Sequence, residues 1–440
     1  MNRQQRRAAS KAQGRGIPQF RSSEWADNKL RAAVSYYQTR QLAEAMRLYA
    51  EILSREPKHV VALNLLGVLK CQVGEARQAT ELIGKAIALQ PNYAEAHNNL
   101  GVALKDQGRL EEAVAAYQKA VRLKPNYAGA HYNLGVALQK QGKLEDAMAA
   151  YQKAVRLKPD FAEAHYNLGN ALQEQGRLED ALNRYRSALA DLMQQSTLKS
   201  VRPRDFMSVN IAHTALLALK SGLEAEHVPF FLAYGTLLGI VRDGDLLPYD
   251  KDMDVGLPWD VSREALVRAL TVKHGFSRIG RHTPEKDTWN VDLIHRETGI
   301  SIDLFFFKPD GDALLSGFHH LPVPLLWRFG HFTTRPLEFL GHTWQVPDPP
   351  ERFFQEIYGP DWQTPDPYFD TVISGRNRIP AALDVAICFA FNRLFDRIFY
   401  GEWDKAAGYC RQILAQYSNP FIEEVNQWLR QRIQTENAQA

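Results

Sequence analysis

Gly67, Gly101, Gly135 and Gly169 stand 34 residues apart, and Gly74, Gly108, Gly142 and Gly176 keep the same step. Pro57, Pro91, Pro125 and Pro159 share it, as do Ala45, Ala79, Ala113, Ala147 and Ala181. Two adjacent copies read AEAHNNLGVALKDQGRLEEAVAAYQKAVRLKPNY (94–127) and AGAHYNLGVALQKQGKLEDAMAAYQKAVRLKPDF (128–161). Each holds two segments of helical periodicity, small residues where helices cross closely, a glycine turn between them and a closing proline. One such pair cannot bury its own apolar face, so a fixed period restricts this stretch to a stack of helix pairs.

Leu-Gly followed by Ala-x-x-x-Tyr and Pro resembles the tetratricopeptide (TPR) pattern. Five units are read, at 26–59, 60–93, 94–127, 128–161 and 162–195. The first lacks both glycines (Ala33 and Arg40 stand there) and the last lacks its proline (Met193), as capping units do. Such a stack leaves a concave groove. Asn99, Asn133 and Asn167 recur just before Leu-Gly, on the helix that usually lines it. They resemble the asparagine ladder of the O-GlcNAc transferase repeats, which implies a protein or peptide held in the groove by its backbone. Hydrogen bonding between neighbouring helices explains the same residues, and the sequence leaves both open. The repeats contain no cluster of acid, base and nucleophile, so they are expected to bind and not to catalyse.

At 440 residues the chain exceeds one typical domain. Its net charge of +3 is too small for a global field toward nucleic acid. The first 22 residues carry six basic and no acidic side chains, but no apolar segment of signal-peptide length follows. Residues 1–25 are therefore expected to be a disordered basic tail, with a weak electrostatic contact to anionic lipid or a partner as the sharper alternative. No apolar run is long enough for a membrane span. Cys71, Cys388 and Cys410 are odd in number, distant, and in no metal-ligand spacing, which favours a reducing cytoplasm and excludes a disulfide framework.

The period fails after Leu192, and 196–204 reads as a linker. From 205 to 380 short apolar strands alternate with helices. Asp205–Glu226 reads as a helix, FFLAYG as a strand entering a turn, TLLGIVRDG as a short helix and MDVGLP as a strand. VSREALVRALTVKH reads as another helix, before a meander turning at Glu297–Gly299 and Asp310–Gly311. Residues 381–440 are helical again, with a glycine turn at Gly401 and Pro420 beyond it, a degraded repeat-like pair. The expected fold is multidomain: an all-α solenoid, an α+β domain and a helical C-terminal extension.

The stretch YGTLLGIVRDGDLLPYDKDMDVG (234–256) carries the chemistry. Asp250, Asp252 and Asp254 alternate, which on a strand puts them on one face. Carboxylates about 4 Å apart repel by roughly 4 kcal/mol at an effective dielectric near 20. A bound hard cation, Mg2+ or Mn2+, relieves that repulsion. Asp303, in ISIDLFFF, completes a three-carboxylate site if its strand pairs beside Met253–Gly256. Gly235-Thr236 opens a helix whose bare N–H groups suit a phosphate, and Arg242 suits the same anion. The many histidines follow no ligand spacing and are expected to be surface or hydrogen-bonded. The WRF and FFF aromatics are expected in the core.

Glycine turn, helix start, Asp-x-Asp and a distant strand aspartate together resemble a nucleotidyltransferase fold. More narrowly, GTLLGIVRDGDLLPYDKDMDVG and the later VPDPPERFFQEIYGPDWQTP (346–365) resemble the LicD/fukutin family, over about 210–370. Tyr249 and Lys251 depart from the family's pattern. The resemblance implies transfer of a phosphorylated alcohol, phosphocholine or polyol phosphate, from a CDP-linked donor to a hydroxyl of a glycan or lipid-linked sugar. It implies Asp252, Asp254 and Asp303 as metal ligands, Asp250 as base or extra ligand, and Gly235, Thr236 and Arg242 on the donor pyrophosphate. Two other readings remain: a scaffold whose nucleotidyltransferase-like domain only senses nucleotide, and nucleotidyl transfer onto a protein bound by the repeats.

Overall fold

A computed structural model describes residues 23–195, 208–248, 250, 252–279, 284–318, 324–366, 369–379 and 383–438. The basic tail to residue 22, the 196–204 linker, Tyr249, Lys251, His282, His319 and His320 lie outside the described residues. The chain divides into two compact units, Met1–Ala171 and Leu172–Ala440.

The first unit is all helical, as the period predicts. It runs through α1 (Glu24–Gln38), α2 (Leu42–Arg55), α3 (Val60–Gln72), α4 (Ala76–Leu89), α5 (Ala94–Asp106), α6 (Leu110–Leu123), α7 (Ala128–Lys140) and α8 (Leu144–Leu157) into α9 (Ala162–Glu174). Both conserved-period glycines have a steric cause. Gly74, Gly108 and Gly142 end the first helix of each pair at φ 84°, 76° and 78°, in the left-handed region that suits glycine. The glycine of Leu-Gly makes room instead for a ring. A Cβ at Gly101 would lie 2.6 Å from Tyr117 Cε1, and one at Gly135 2.6 Å from Tyr151 Cε1. Both tyrosines are fully buried. Replacing Gly135 by alanine therefore forces the Tyr151 ring off its seat, with an expected loss of about 1–3 kcal/mol. Urea unfolding of the full chain measures it.

The second unit opens with α10 (Leu178–Met193) and α11 (Val209–Ala225). A seven-stranded sheet follows, built from β1 (Phe231–Leu232), β2 (Asp252–Pro258), β3 (Phe276–Arg278), β4 (Asn290–His295), β5 (Ser301–Asp310), β6 (Ala313–Phe318) and β7 (Leu325–Gly330). The spatial order is β1-β2-β5-β4-β3, with β6 on the far end of β5 and β7 beside β6. Only β2 and β5 run parallel. Helix α12 (Tyr234–Asp243) joins β1 toward β2, and α13 (Arg263–Lys273) joins β2 toward β3. A separate hairpin of β8 (Thr333–Phe339) and β9 (His342–Asp348) precedes α14 (Pro350–Tyr358) and the short α15 (Thr371–Ser374). The predicted meander turns fall at Gly299 and Gly311, both with positive φ. Trp327, Phe329 and Phe305 to Phe307 are buried in the core, as expected of them.

Three helices end the chain: α16 (Leu383–Phe399), α17 (Trp403–Gln416) and α18 (Pro420–Asn437). Helix α16 packs against α10, with Cys388 Sγ 3.4 Å from Leu178 O and the Arg186 guanidinium 5.9 Å from the Phe391 ring centre. Gly401 has φ 72°, and Glu402 N donates to Arg397 O at 2.8 Å, repeating the Arg109 N to Leu104 O bond of 3.0 Å after α5. The pair α16–α17 thus closes with the turn of the repeats. None of the three cysteines forms a disulfide, and Cys388 and Cys410 are buried.

Candidate active site

Strand alternation creates the site. In β2, β4 and β5 the apolar residues Met253, Val255, Val291, Leu293, Ile302 and Leu304 are buried in the core, and the aspartates between them point to the opposite face. Parallel register sets Asp254 beside Asp303, and antiparallel register sets Asp303 beside Asp292. Three carboxylates therefore cross three neighbouring strands in one row, with Asp252 two residues along from Asp254. At a strand spacing of about 4.8 Å, adjacent ionised carboxylates repel by roughly 3.5 kcal/mol at an effective dielectric near 20.

Local backbone geometry locks Asp254. Gly235 N donates to Asp254 Oδ2 at 2.9 Å, and Asp254 N donates to Thr236 Oγ1 at 2.7 Å. A side chain at residue 235 has no space, because a Cβ there would lie 2.3 Å from Asp250 Oδ2 and 3.3 Å from Asp254 Oδ2. Gly235 and Thr236, read from sequence as a phosphate cradle, here hold the aspartates. Thr236 is buried, and Arg242 makes a bidentate pair with Asp243 at 2.8 Å through Nε and Nη2 while facing the cavity. Tyr234 turns the chain from β1 into α12 at φ 41°, a left-handed conformation uncommon for a tyrosine.

The row is electrostatically costly as it stands. Burial, then the charges of Asp252, Asp250 and Asp303, pushes the Asp254 carboxyl well above its usual range, against the Gly235 N–H bond. Burial, then Asp252, Asp292 and Asp250, raises Asp303 to about 9. Asp292 is raised chiefly by burial, although Asn290 Nδ2 donates to its Oδ1 at 2.6 Å. The phenol of Tyr358 is pushed up by burial and by Asp254 and Asp250, so it stays a donor.

Over the row lies a cavity of about 500 Å³. It is lined by Asp250, Asp252, Asp254 and Asp303, by Tyr358 and Trp362, by Asp361, Asp366 and Asp370, and by Arg393, Arg397, Lys405 and Tyr409 of the C-terminal helices. Among the described residues no three His, Cys, Asp or Glu side chains close into a coordination shell. The chemistry of the donor set still fits a hard divalent cation, since buried oxygens of one charge stand together with little compensation. Sequence reasoning missed Asp292 and the C-terminal cations. The NVDLIH alternation marks Asp292 for one face, but only the register of β4 on β5 brings it to Asp303.

Asp303 sets a pH dependence. Its folded pKa of about 9 exceeds the unfolded value of about 3.9. The folded state then binds more protons than the unfolded one between these values, so the metal-free protein should lose stability as pH rises through that window. Thermal unfolding from pH 5 to 9 in chelator should show the decline, and excess Mg2+ should flatten it.

Along the repeats, Asn99 Nδ2 donates to Asn64 Oδ1 at 3.1 Å, Asn133 Nδ2 to Asn98 Oδ1 at 2.9 Å, and Asn167 Nδ2 to the Tyr132 hydroxyl at 3.2 Å. Each asparagine thus bonds the first helix of the preceding unit, and Asn99 Oδ1 also accepts from Asn98 Nδ2 at 3.4 Å.

Fold and site together define a helical-repeat protein that carries a sheet domain with a buried row of carboxylates. Residues 227–347 match the family described as LicD/FKTN/FKRP, nucleotidyltransferase domain, and residues 103–142 and 140–176 match a TPR repeat family. Further tetratricopeptide matches cover 27–59, 82–115 and 164–199. The chain carries TPR repeats followed by a LicD/FKTN domain. It is 26% identical over 139 residues to the Homo sapiens ribitol-5-phosphate transferase FKTN, covering 30% of this chain and 29% of that protein. It is 30% identical over 151 residues to the Homo sapiens ribitol 5-phosphate transferase FKRP, covering 31% and 29%. The chain thus spans about three-tenths of the length of these curated relatives. A crystal structure of MamA is similar at 29% identity and a TM-score of 0.33, over 36% of this chain and 93% of that one. No described helix is long and apolar enough to cross a membrane.

Proposed function

We propose that the chain is a divalent-cation-dependent phosphotransferase of LicD type, moving a phosphorylated alcohol from a CDP-linked donor to a glycan hydroxyl. The observation that carries this is the in-register row Asp254–Asp303–Asp292, buried beneath an open cavity. A fold keeps such a row against its own repulsion when it works with a cation. Asp252, Asp254 and Asp303 would hold Mg2+ or Mn2+, which would supply charge neutralisation on the donor phosphates.

The chain's own residues do the rest. Gly235 and Thr236 fix Asp254 so that the carboxylate does not reorganise during the reaction. Asp250, against Gly235, accepts the proton of the acceptor hydroxyl. The acceptor oxygen forms a bond to the β-phosphorus, the bond from that phosphorus to the bridging oxygen breaks, and CMP departs. Arg242 on the cavity wall contacts the donor phosphates. Tyr358 and Trp362 shape the cavity and exclude water. The TPR groove recruits a protein that presents or carries the acceptor, with Asn99, Asn133 and Asn167 on the bound backbone. Work at the inner membrane face follows if the acceptor is lipid-linked.

Incubation of the full chain with Mn2+, a CDP-alcohol panel and oligosaccharide acceptors tests the proposal. Release of CMP with the alcohol phosphate on the glycan supports it. Release of the alcohol phosphate with CMP left on a protein contradicts it and favours nucleotidyl transfer.

A further inference from the structure

The cavity lining includes Asp250, Asp252, Asp254 and Asp303, and Asp361, Asp366 and Asp370 from the segment after α14, whereas α16 and α17 contribute Arg393, Arg397 and Lys405, all outside the residues 227–347 that match the LicD family. We propose that these C-terminal cations form an oxyanion site, built to hold a phosphate group of the substrate in the same cavity as the carboxylate row.

Three observations carry the assignment. The Arg393 guanidinium is clamped from behind through Nη1 by Asp370, whose side chain is 3% exposed while that of Arg393 is 38% exposed. Asp370 is itself fixed, as Val372 N donates to its Oδ1 at 3.0 Å and Ser374 N to its carbonyl at 2.8 Å. A planar cation with one edge anchored and the rest reaching a cavity is the geometry of bidentate oxyanion recognition. Next, Arg397 is anchored by Glu402 at 2.8 Å, yet its Nε is buried with no hydrogen-bond partner among the described residues. An unsatisfied donor on a buried cation favours an incoming acceptor. Finally, Lys405 adds charge from α17, one turn before Tyr409, which also lines the cavity. The site depends on the α16–α17 turn at Gly401, so the repeat-like pair has a role inside the second unit: it brings cations to the cavity.

An oxyanion of phosphate type has two sources, the donor and an acceptor that already carries phosphate. Which one applies rests on the transferase reading, but the binding itself does not. Calorimetry on the full chain separates these cases, with inorganic phosphate and CDP plus Mn2+ as probes. Wild type should bind phosphate, and Lys405→Gln should weaken it at least tenfold. Arg393→Lys keeps a charge beside Asp370 while removing the planar fork, and should weaken phosphate binding similarly without lowering the melting temperature much. If phosphate and CDP compete and both weaken in these variants, the site holds the donor. If phosphate still binds to CDP-saturated protein and CDP affinity is unchanged, it holds a phosphorylated acceptor. Phosphate affinity equal in wild type, Lys405→Gln and Arg393→Lys, or undetectable in wild type, overturns the proposal. Asp254→Asn, which disables the carboxylate row, should retain phosphate binding; loss of transfer with the oxyanion site intact separates the two readings.

Discussion

Asp254→Asn is expected to lower phosphotransfer by about 10³-fold or more, as several kcal/mol of cation-mediated charge stabilisation disappear. The same change should raise the melting temperature of the metal-free protein. The sign follows from the row: burial and the neighbours Asp252, Asp250 and Asp303 hold the Asp254 carboxyl above its ordinary range. Ionising Asp254 is thus penalised in the folded state, and a neutral amide removes that penalty. Asparagine keeps an oxygen for the Gly235 N–H, so the local hydrogen bond survives. Activity and metal-free stability should move in opposite directions, and differential scanning fluorimetry beside the transfer assay reads both. A purely structural Asp254 would lose stability on the same substitution.

Gly235→Ala should cost the next largest amount, about 10²-fold in kcat. The added methyl would stand 2.3 Å from Asp250 Oδ2 and 3.3 Å from Asp254 Oδ2, so Asp250 must swing away and Asp254 must shift. A displacement of about 1 Å at a reacting group is enough for that loss. Because Asp250 can yield by rotating, the melting temperature should change little. Single-turnover kinetics at saturating donor checks whether the loss sits in kcat. A variant with unchanged kcat would remove Asp250 from the proton transfer.

Much of this architecture is written in short-range pattern. The 34-residue step marks helix pairs because the glycine turn and the glycine facing a tyrosine ring are local requirements repeated in each unit. The aspartate alternation announces one face of a strand, and Asp303 is legible as a strand acid among apolar neighbours. What joins Asp254, Asp303 and Asp292 is register between strands far apart in sequence, which no local pattern encodes. The same limit hides Arg393, Arg397 and Lys405. On their helices they look like ordinary surface cations, and only the packing of α16 and α17 turns them to the cavity. Gly235 and Thr236 differ in another way. Their motif says helix start, and the structure spends those groups on Asp254, a use that appears only once β2 lies against α12.

In the proposed reaction the aspartate row works through a divalent cation. The most direct test of this is Mn2+ binding to the full chain, followed by electron paramagnetic resonance, with and without CDP, in wild type and Asp254→Asn. Wild type should bind Mn2+, more tightly when CDP is present, and Asp254→Asn should lose both the binding and the enhancement. Equal Mn2+ binding in the two proteins, or none in wild type at millimolar metal with CDP, would contradict it.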